Sequence, residues 1–243
     1  MSPSSMLDNP GAGEPKTPSF EVLAPAQTVL PPSNARLGVL GGAYNPITRA
    51  HLLLARCSKE QFNLHEIIFV LPKILPNKPV VDTSIVQRLE MMRLGTTDVR
   101  YVSLGLCTHG LFLDICAALQ KVYLQSPEIF FITGRDAAER ILNWPYPDPA
   151  ETLARMFAGF QLLVFEREGQ LKLRENPLIK QYSTRIHTLQ LSENIDHISS
   201  TAVRQRILAG QPIEELIPAE VAAYIMNHNL YKNQSEQHSA LSE

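Results

Sequence analysis

Leu37-Gly-Val-Leu-Gly-Gly-Ala-Tyr-Asn-Pro-Ile-Thr-Arg-Ala-His51 is the stretch from which the rest of the chain can be read. Leu37 to Leu40 is short and apolar, the pattern of a strand buried on both faces. Gly41 and Gly42 follow it at once. With no Cβ in the way, a turn through Gly41, Gly42, Ala43 and Tyr44 lets backbone N–H groups approach an anion closely. Asn45-Pro46 then forces a turn, and Thr48 to His51 opens a helix that runs on through Leu52-Leu-Leu-Ala55. Thr48 and His51 sit about one turn apart at the positive end of the helix dipole, where phosphate is favoured. Each piece has a bland reading: a tight turn, a helix cap, a surface histidine. Their order favours an anion cradle. The segment is neither a Walker A loop nor a G-x-G-x-x-G fingerprint, because the Gly-Lys-Ser/Thr and the glycine spacing are missing.

Further strand candidates lie at 67–71, 99–103, 129–132, 161–165 and 187–191, mostly apolar on both sides. Helical patterns fall near 50–61, 83–95, 110–125 and 135–142, with two more near 199–209 and 218–228. This alternation predicts an α/β fold: a doubly wound, mostly parallel sheet with helices on both faces and a helical C-terminal subregion. Residues 1–34 are dense in Pro, Ser, Gly and Ala, and 233–243 are polar; both are expected to be disordered, flanking one domain over 35–232. In such a sheet ligands bind outside the carboxyl ends of the strands, so the residues just after each strand carry the function.

Near the other end stands Ile198-Ser-Ser-Thr-Ala-Val-Arg204. Ser199, Ser200 and Thr201 are hydroxyls at a helix start, able to cap it or, with its N–H groups, to hold phosphate oxygens. Arg204 lies a turn further on the same face and can make bidentate contact with a phosphate.

Together the two segments resemble the signatures of the nucleotidylyltransferase superfamily, Gly-x-Phe-(Asn/Asp)-Pro with (His/Thr)-x-Gly-His and Ile-Ser-Ser-Thr-x-(Ile/Val)-Arg. The similarity is greatest to the nicotinate/nicotinamide mononucleotide adenylyltransferases. Gly42, Tyr44 (for Phe), Asn45, Pro46, Thr48 and His51 match; Arg49 is bulky, and Ala50 stands where many members have Gly. The resemblance implies a Rossmann-like nucleotidylyltransferase fold and transfer of AMP from ATP to the phosphate of a mononucleotide, nicotinate mononucleotide first, giving a dinucleotide and pyrophosphate in NAD biosynthesis. It implies that His51, Thr48 and Arg204 act in catalysis, and that Ser199, Ser200, Thr201 and Lys78 join the cradle residues on ATP phosphates. Lys78, in Pro76-Asn-Lys78, can equally be an exposed loop lysine. Arg88, before Met91-Met92, and Arg167, in Glu166-Arg-Glu168, can be structural or solvated charges.

The same resemblance assigns Gly134 and Asp136, of Thr133-Gly-Arg-Asp136, to the ribose or acceptor. It gives Trp144, the one tryptophan, a stacking role, with a core anchor as the alternative. After the third predicted strand the family usually carries Tyr-Thr-x-Asp-Thr-Leu. This chain has Cys107-Thr-His-Gly-Leu-Phe-Leu-Asp114, so Thr108, His109 and Asp114 are the candidate acceptor contacts there.

In the implied reaction the acceptor phosphate is the nucleophile, so the protein positions and neutralises rather than supplying a strong base. Mg²⁺ is expected to enter with ATP, held by phosphates rather than by protein ligands. The formal charge of −2 gives no reason to expect nucleic acid or an anionic membrane as a partner. Cys57, Cys107 and Cys116 form no metal or disulfide pattern, and neither a signal peptide nor a membrane span is visible, which fits the cytoplasm. Assembly into a homo-oligomer is left open. Two other readings stand: a different acceptor, phosphopantetheine or a phospho-alcohol with ATP or CTP as donor, or a nucleotide-binding regulator without catalysis.

Overall fold

In the computed structural model, residues 17–74, 83–165, 176–191 and 194–232 are described. The order is β1 (Phe20–Ala24), β2 (Arg36–Gly41), α1 (Arg49–Phe62), β3 (Glu66–Pro72), α2 (Ile85–Gly95), β4 (Val102–Cys107), α3 (Phe112–Val122), β5 (Glu128–Gly134), α4 (Arg135–Leu142), α5 (Pro149–Gly159), β6 (Gln161–Phe165), α6 (Pro177–Lys180), β7 (Ile186–Leu189), α7 (Ser200–Leu208) and α8 (Ala219–Asn227). The sheet runs β1-β4-β3-β2-β5-β6-β7. All pairings are parallel except that of β1 with β4. The doubly wound α/β fold read from the sequence is what the chain adopts.

Period-two alternation divides the strands between two cores. Leu40, Ile67, Phe69, Phe130 and Ile132 face a core shared with α1, α2, α7 and α8. Leu37, Val39, Ile68, Val70, Ile129 and Phe131 face the opposite one, covered by α3, α4, α5 and α6. The chain leaves β2 for α1 on the first face and leaves the neighbouring β5 for α4 on the second. Connections therefore diverge between β2 and β5, and a crevice opens outside their carboxyl ends, at Gly41 and Gly134.

Two expectations are corrected. The leader was read as disordered over 1–34, yet Phe20–Ala24 forms β1 against β4. Its polar, proline-rich surroundings hide a strand that lies at the sheet edge and needs an apolar face on one side alone. The strand expected at 99–103 starts three residues later, at Val102. Gly105 lowers the strand signal of Leu104-Gly-Leu106, but the glycine has a structural reason: a Cβ there would lie 2.1 Å from Phe20 Cζ. Helix α5 was also missed, although its start is well marked, with Pro149 in the first turn and Asp148 Oδ1 accepting from Glu151 N–H at 2.9 Å. Among the described residues no helix is long and apolar enough to cross a membrane.

Phe131 is fully buried and packs against Phe112 and Phe160 at ring-centre distances of 4.3 and 4.7 Å, on the face away from the cradle helix. Phe131→Ala is expected to cost about 3–5 kcal/mol of folding stability, read as a lowered urea midpoint; an unchanged midpoint would contradict this packing.

Candidate active site

The cradle is built from β2 outward. Gly41 ends the strand beside open space, since a Cβ there would meet nothing within 4 Å. The Gly42 N–H donates to Val70 O at 3.1 Å and so continues the β2–β3 ladder. This corrects the expectation that Gly42 presents its amide to an anion: its N–H already has a partner in β3. Tyr44 has a positive φ of 47°. Its side chain is also reassigned. The ring is buried, stacks on Phe69 with centres 5.6 Å apart, and its hydroxyl donates to Leu40 O. Burial raises its pKa well above the phenol value, so it stays a neutral wedge under the loop.

The Asn45-Pro46 bond is cis, and several distant elements hold this turn. Thr83 Oγ1 and the Tyr231 hydroxyl each lie 2.6 Å from Asn45 Oδ1. Arg88 Nη1 donates to Ala43 O at 3.1 Å. Arg204 Nη1 donates to Asn45 O, and Ser200 Oγ to Pro46 O, both at 2.7 Å. The two signatures therefore meet: the first turn of α7 is fastened to the backbone of the cradle.

His51 points back across the first turn of α1. Thr48 N–H donates to His51 Nδ1 at 3.0 Å, and Thr48 Oγ1 lies 2.8 Å from the same atom. A nitrogen that accepts a backbone N–H carries no proton, so the ring N–H sits on Nε2. Thr48 is fully buried, with its amide and its hydroxyl both turned to the His51 ring. Packing at 5.1 Å against Tyr44 fixes the imidazole plane.

Around the start of α7 the four expected residues part company. Ser199 Oγ accepts from Ala202 N–H at 3.0 Å and caps the helix. Ser200 is a tie to Pro46. Thr201 is exposed, with Oγ1 3.3 Å from Arg204 Nη2. Arg204, with five N–H donors, keeps capacity beyond these two bonds. Arg49, out of pattern in the sequence, turns away from the cradle: its guanidinium bonds Glu214 O and Ile217 O at 3.2–3.3 Å. Ala50 packs its methyl in the core.

Gly134 ends β5 across the crevice, where a Cβ would approach Phe165 to 3.1 Å. Asp136, in the first turn of α4, has a side chain 91% exposed and 3.7 Å from Arg135. Trp144 is 43% exposed just past α4, which rules out the core-anchor role. Thr108 follows β4 and is tied to Ser19 rather than open, with His109 and Asp114 half-buried beside it. Lys78 and Arg167 lie outside the described residues. Among the described residues no three His, Cys, Asp or Glu side chains gather as a metal site.

Three cradle residues were undervalued or unseen. Arg88 is buried beside the loop, and burial lowers its pKa although the group stays cationic. Thr83 and Tyr231 had no local signal, because what matters is their reach to Asn45.

Residues 39–206 match the cytidylyltransferase-like family. The chain is 30% identical over 210 residues to the probable nicotinate-nucleotide adenylyltransferase of Thermoanaerobacter sp., covering 83% of this chain and 96% of that protein. It is 31% identical over 211 residues to its counterpart from Carboxydothermus hydrogenoformans, covering 82% and 100%. In fold it is similar to the nicotinic acid mononucleotide adenylyltransferase of Plasmodium falciparum, solved with NaAD, at TM-score 0.60 and 20% identity over 81% of this chain and 97% of that one.

Tyr231→Phe removes one of two hydroxyls on Asn45 Oδ1 without changing shape. It should lower unfolding free energy by about 0.5–1.5 kcal/mol in urea titrations; equal stability would mean that the turn is held without it.

Proposed function

The chain belongs to the cytidylyltransferase-like family of nucleotidylyltransferases, and from that premise we propose that it is a nicotinate-nucleotide adenylyltransferase, joining AMP from ATP to nicotinate mononucleotide with release of pyrophosphate. The observation that carries this reading is the convergence of the two signatures at one crevice, with Ser200 and Arg204 bonded to Pro46 O and Asn45 O. ATP would lie with its α-phosphate over the turn after β2 and its β- and γ-phosphates toward the first turn of α7.

The chemistry follows from the groups at hand. A phosphate oxygen of the mononucleotide attacks the α-phosphorus in line. The new P–O–P bond forms as the bond to the β-phosphate oxygen breaks, and that electron pair leaves with pyrophosphate. The nucleophile is already anionic, so no strong base is needed. His51 would donate from Nε2 to an α-phosphate oxygen, with Thr48 holding the tautomer. The Ala43 and Tyr44 amides and the N-terminus of α7 would add fixed positive dipole as charge moves to the leaving group. Arg204 would hold the departing phosphates, and Arg88 would keep a positive charge beside the Ala43 carbonyl. Mg²⁺ arriving with ATP would neutralise phosphate charge; hydroxyls, amides and guanidiniums around the crevice suit a metal carried by phosphate oxygens. The acceptor and its ribose would lie toward Thr108, Gly134, Asp136 and Trp144.

Full-length protein with Mg²⁺-ATP and, in turn, nicotinate mononucleotide, nicotinamide mononucleotide, phosphopantetheine and a phospho-alcohol should release pyrophosphate fastest with the first. Faster release with phosphopantetheine or the phospho-alcohol would reassign the acceptor, and ATP binding with no release would make the chain a regulator. His51→Ala should lower kcat by about 10²–10³; near-normal turnover would remove His51 from the reaction.

A further inference from the structure

Arg88 is a cation in a place that disfavours one on three counts. It is only 4% exposed, and taking a charge out of water is costly unless an opposite charge replaces the solvent. It closes the first turn of α2, its N–H donating to Ser84 O at 3.1 Å, and the amino end of a helix disfavours positive charge. No carboxylate among the described residues pairs with it. Glu90, the one acid on α2, is two residues on, so it faces another side of the helix, and it is paired with Arg93 at 2.6 Å.

What Arg88 does meet is neutral. Its Nη1 donates to Ala43 O at 3.1 Å, and its Nε is buried with no partner. The Tyr231 hydroxyl near it donates to Asn45 Oδ1 at 2.6 Å, and a hydroxyl that donates is not an anion. Arg204 brings a second guanidinium to the same turn, through Asn45 O two residues on. Residues 41–48 contain no acid of their own. The turn after β2 therefore carries two cations on its carbonyls, and one of them is buried. An apolar side chain of similar length would remove all three costs of Arg88, and one hydrogen bond to a neutral carbonyl is too weak to offset them.

We propose that Arg88 is a built-in positive charge whose counter-ion is the phosphate of bound ATP: in the empty protein the charge weakens the fold, and in the complex it is neutralised across the Ala43 carbonyl that it holds. Arg88 is a positioning residue, acting through the turn rather than by touching phosphate. The inference rests on the reading that the turn after β2 cradles ATP. It deepens that reading by making one buried side chain exchange stability of the empty protein for affinity.

Urea unfolding of the ligand-free protein and calorimetric titration with Mg²⁺-ATP test this on full-length wild type and Arg88→Met. Methionine keeps the length and drops the charge. The ligand-free urea midpoint of Arg88→Met should equal or exceed that of wild type, although the bond to Ala43 O is lost. Its Kd for Mg²⁺-ATP should rise about tenfold. A residue that merely held the turn would give the opposite split, a lower midpoint with affinity largely kept. A lowered midpoint, or a Kd within about twofold of wild type, overturns the proposal. If Arg88→Met does not fold, Arg88→Gln, which is neutral but can still donate a hydrogen bond, is judged by the same two readouts. Wild type that binds no Mg²⁺-ATP would sink the functional reading and this inference together. Wild type that binds Mg²⁺-ATP but transfers AMP to no acceptor would contradict the functional reading alone.

Discussion

Two hydrogen bonds, from Ser200 Oγ to Pro46 O and from Arg204 Nη1 to Asn45 O, join the beginning of the domain to its end. Past Gly42, whose N–H continues the ladder to Val70 O, the turn after β2 leaves the sheet and its polar groups need other partners. Here its carbonyls are taken by groups from α2 and α7, and its Asn45 side chain by Thr83 and the C-terminal Tyr231. The same bonds bring the amino end of α7 to the crevice between β2 and β5. Positioning the turn and building the far wall of the cradle are one structural act.

The electrostatics follow from that arrangement. A chain with a formal charge of −2 cannot draw a triphosphate by its overall field. What it offers is local: helix N-termini, the amides after β2, a histidine held in one tautomer, and two arginines whose guanidiniums bond backbone carbonyls. Fixed dipoles in a crevice need no reorganisation when charge shifts in a reaction, which is why they stabilise a developing anion better than water does. Arg88 shows the cost of this design, since it is buried with Nε unsatisfied among the described residues.

Much of this was legible in the sequence. Alternating apolar runs and helical patterns gave the doubly wound sheet, because buried parallel strands leave a strong local signal. Of the second signature, Ser200 and Arg204 bond the turn that carries the first. The roles within it were less legible. Gly42 looked like an anion donor but serves the sheet ladder; Tyr44 looked like a phosphate neighbour but is core; Ser199 is a cap. Each depends on which partner a group finds in three dimensions, and spacing along the chain does not encode that. Tyr231 and Thr83 illustrate the same limit, and β1 another: an edge strand in polar surroundings is specified by its partner β4, where Gly105 makes room for Phe20, more than by its own five residues.

A crystal structure of the full-length protein with Mg²⁺ and a non-hydrolysable ATP analogue tests most directly whether the two signatures share one phosphate cradle. The triphosphate should lie between the turn after β2 and the first turn of α7, with an α-phosphate oxygen in hydrogen-bond reach of His51 Nε2 and the outer phosphates against Arg204. Density for the triphosphate anywhere else, or an α-phosphate beyond the reach of His51, would contradict it.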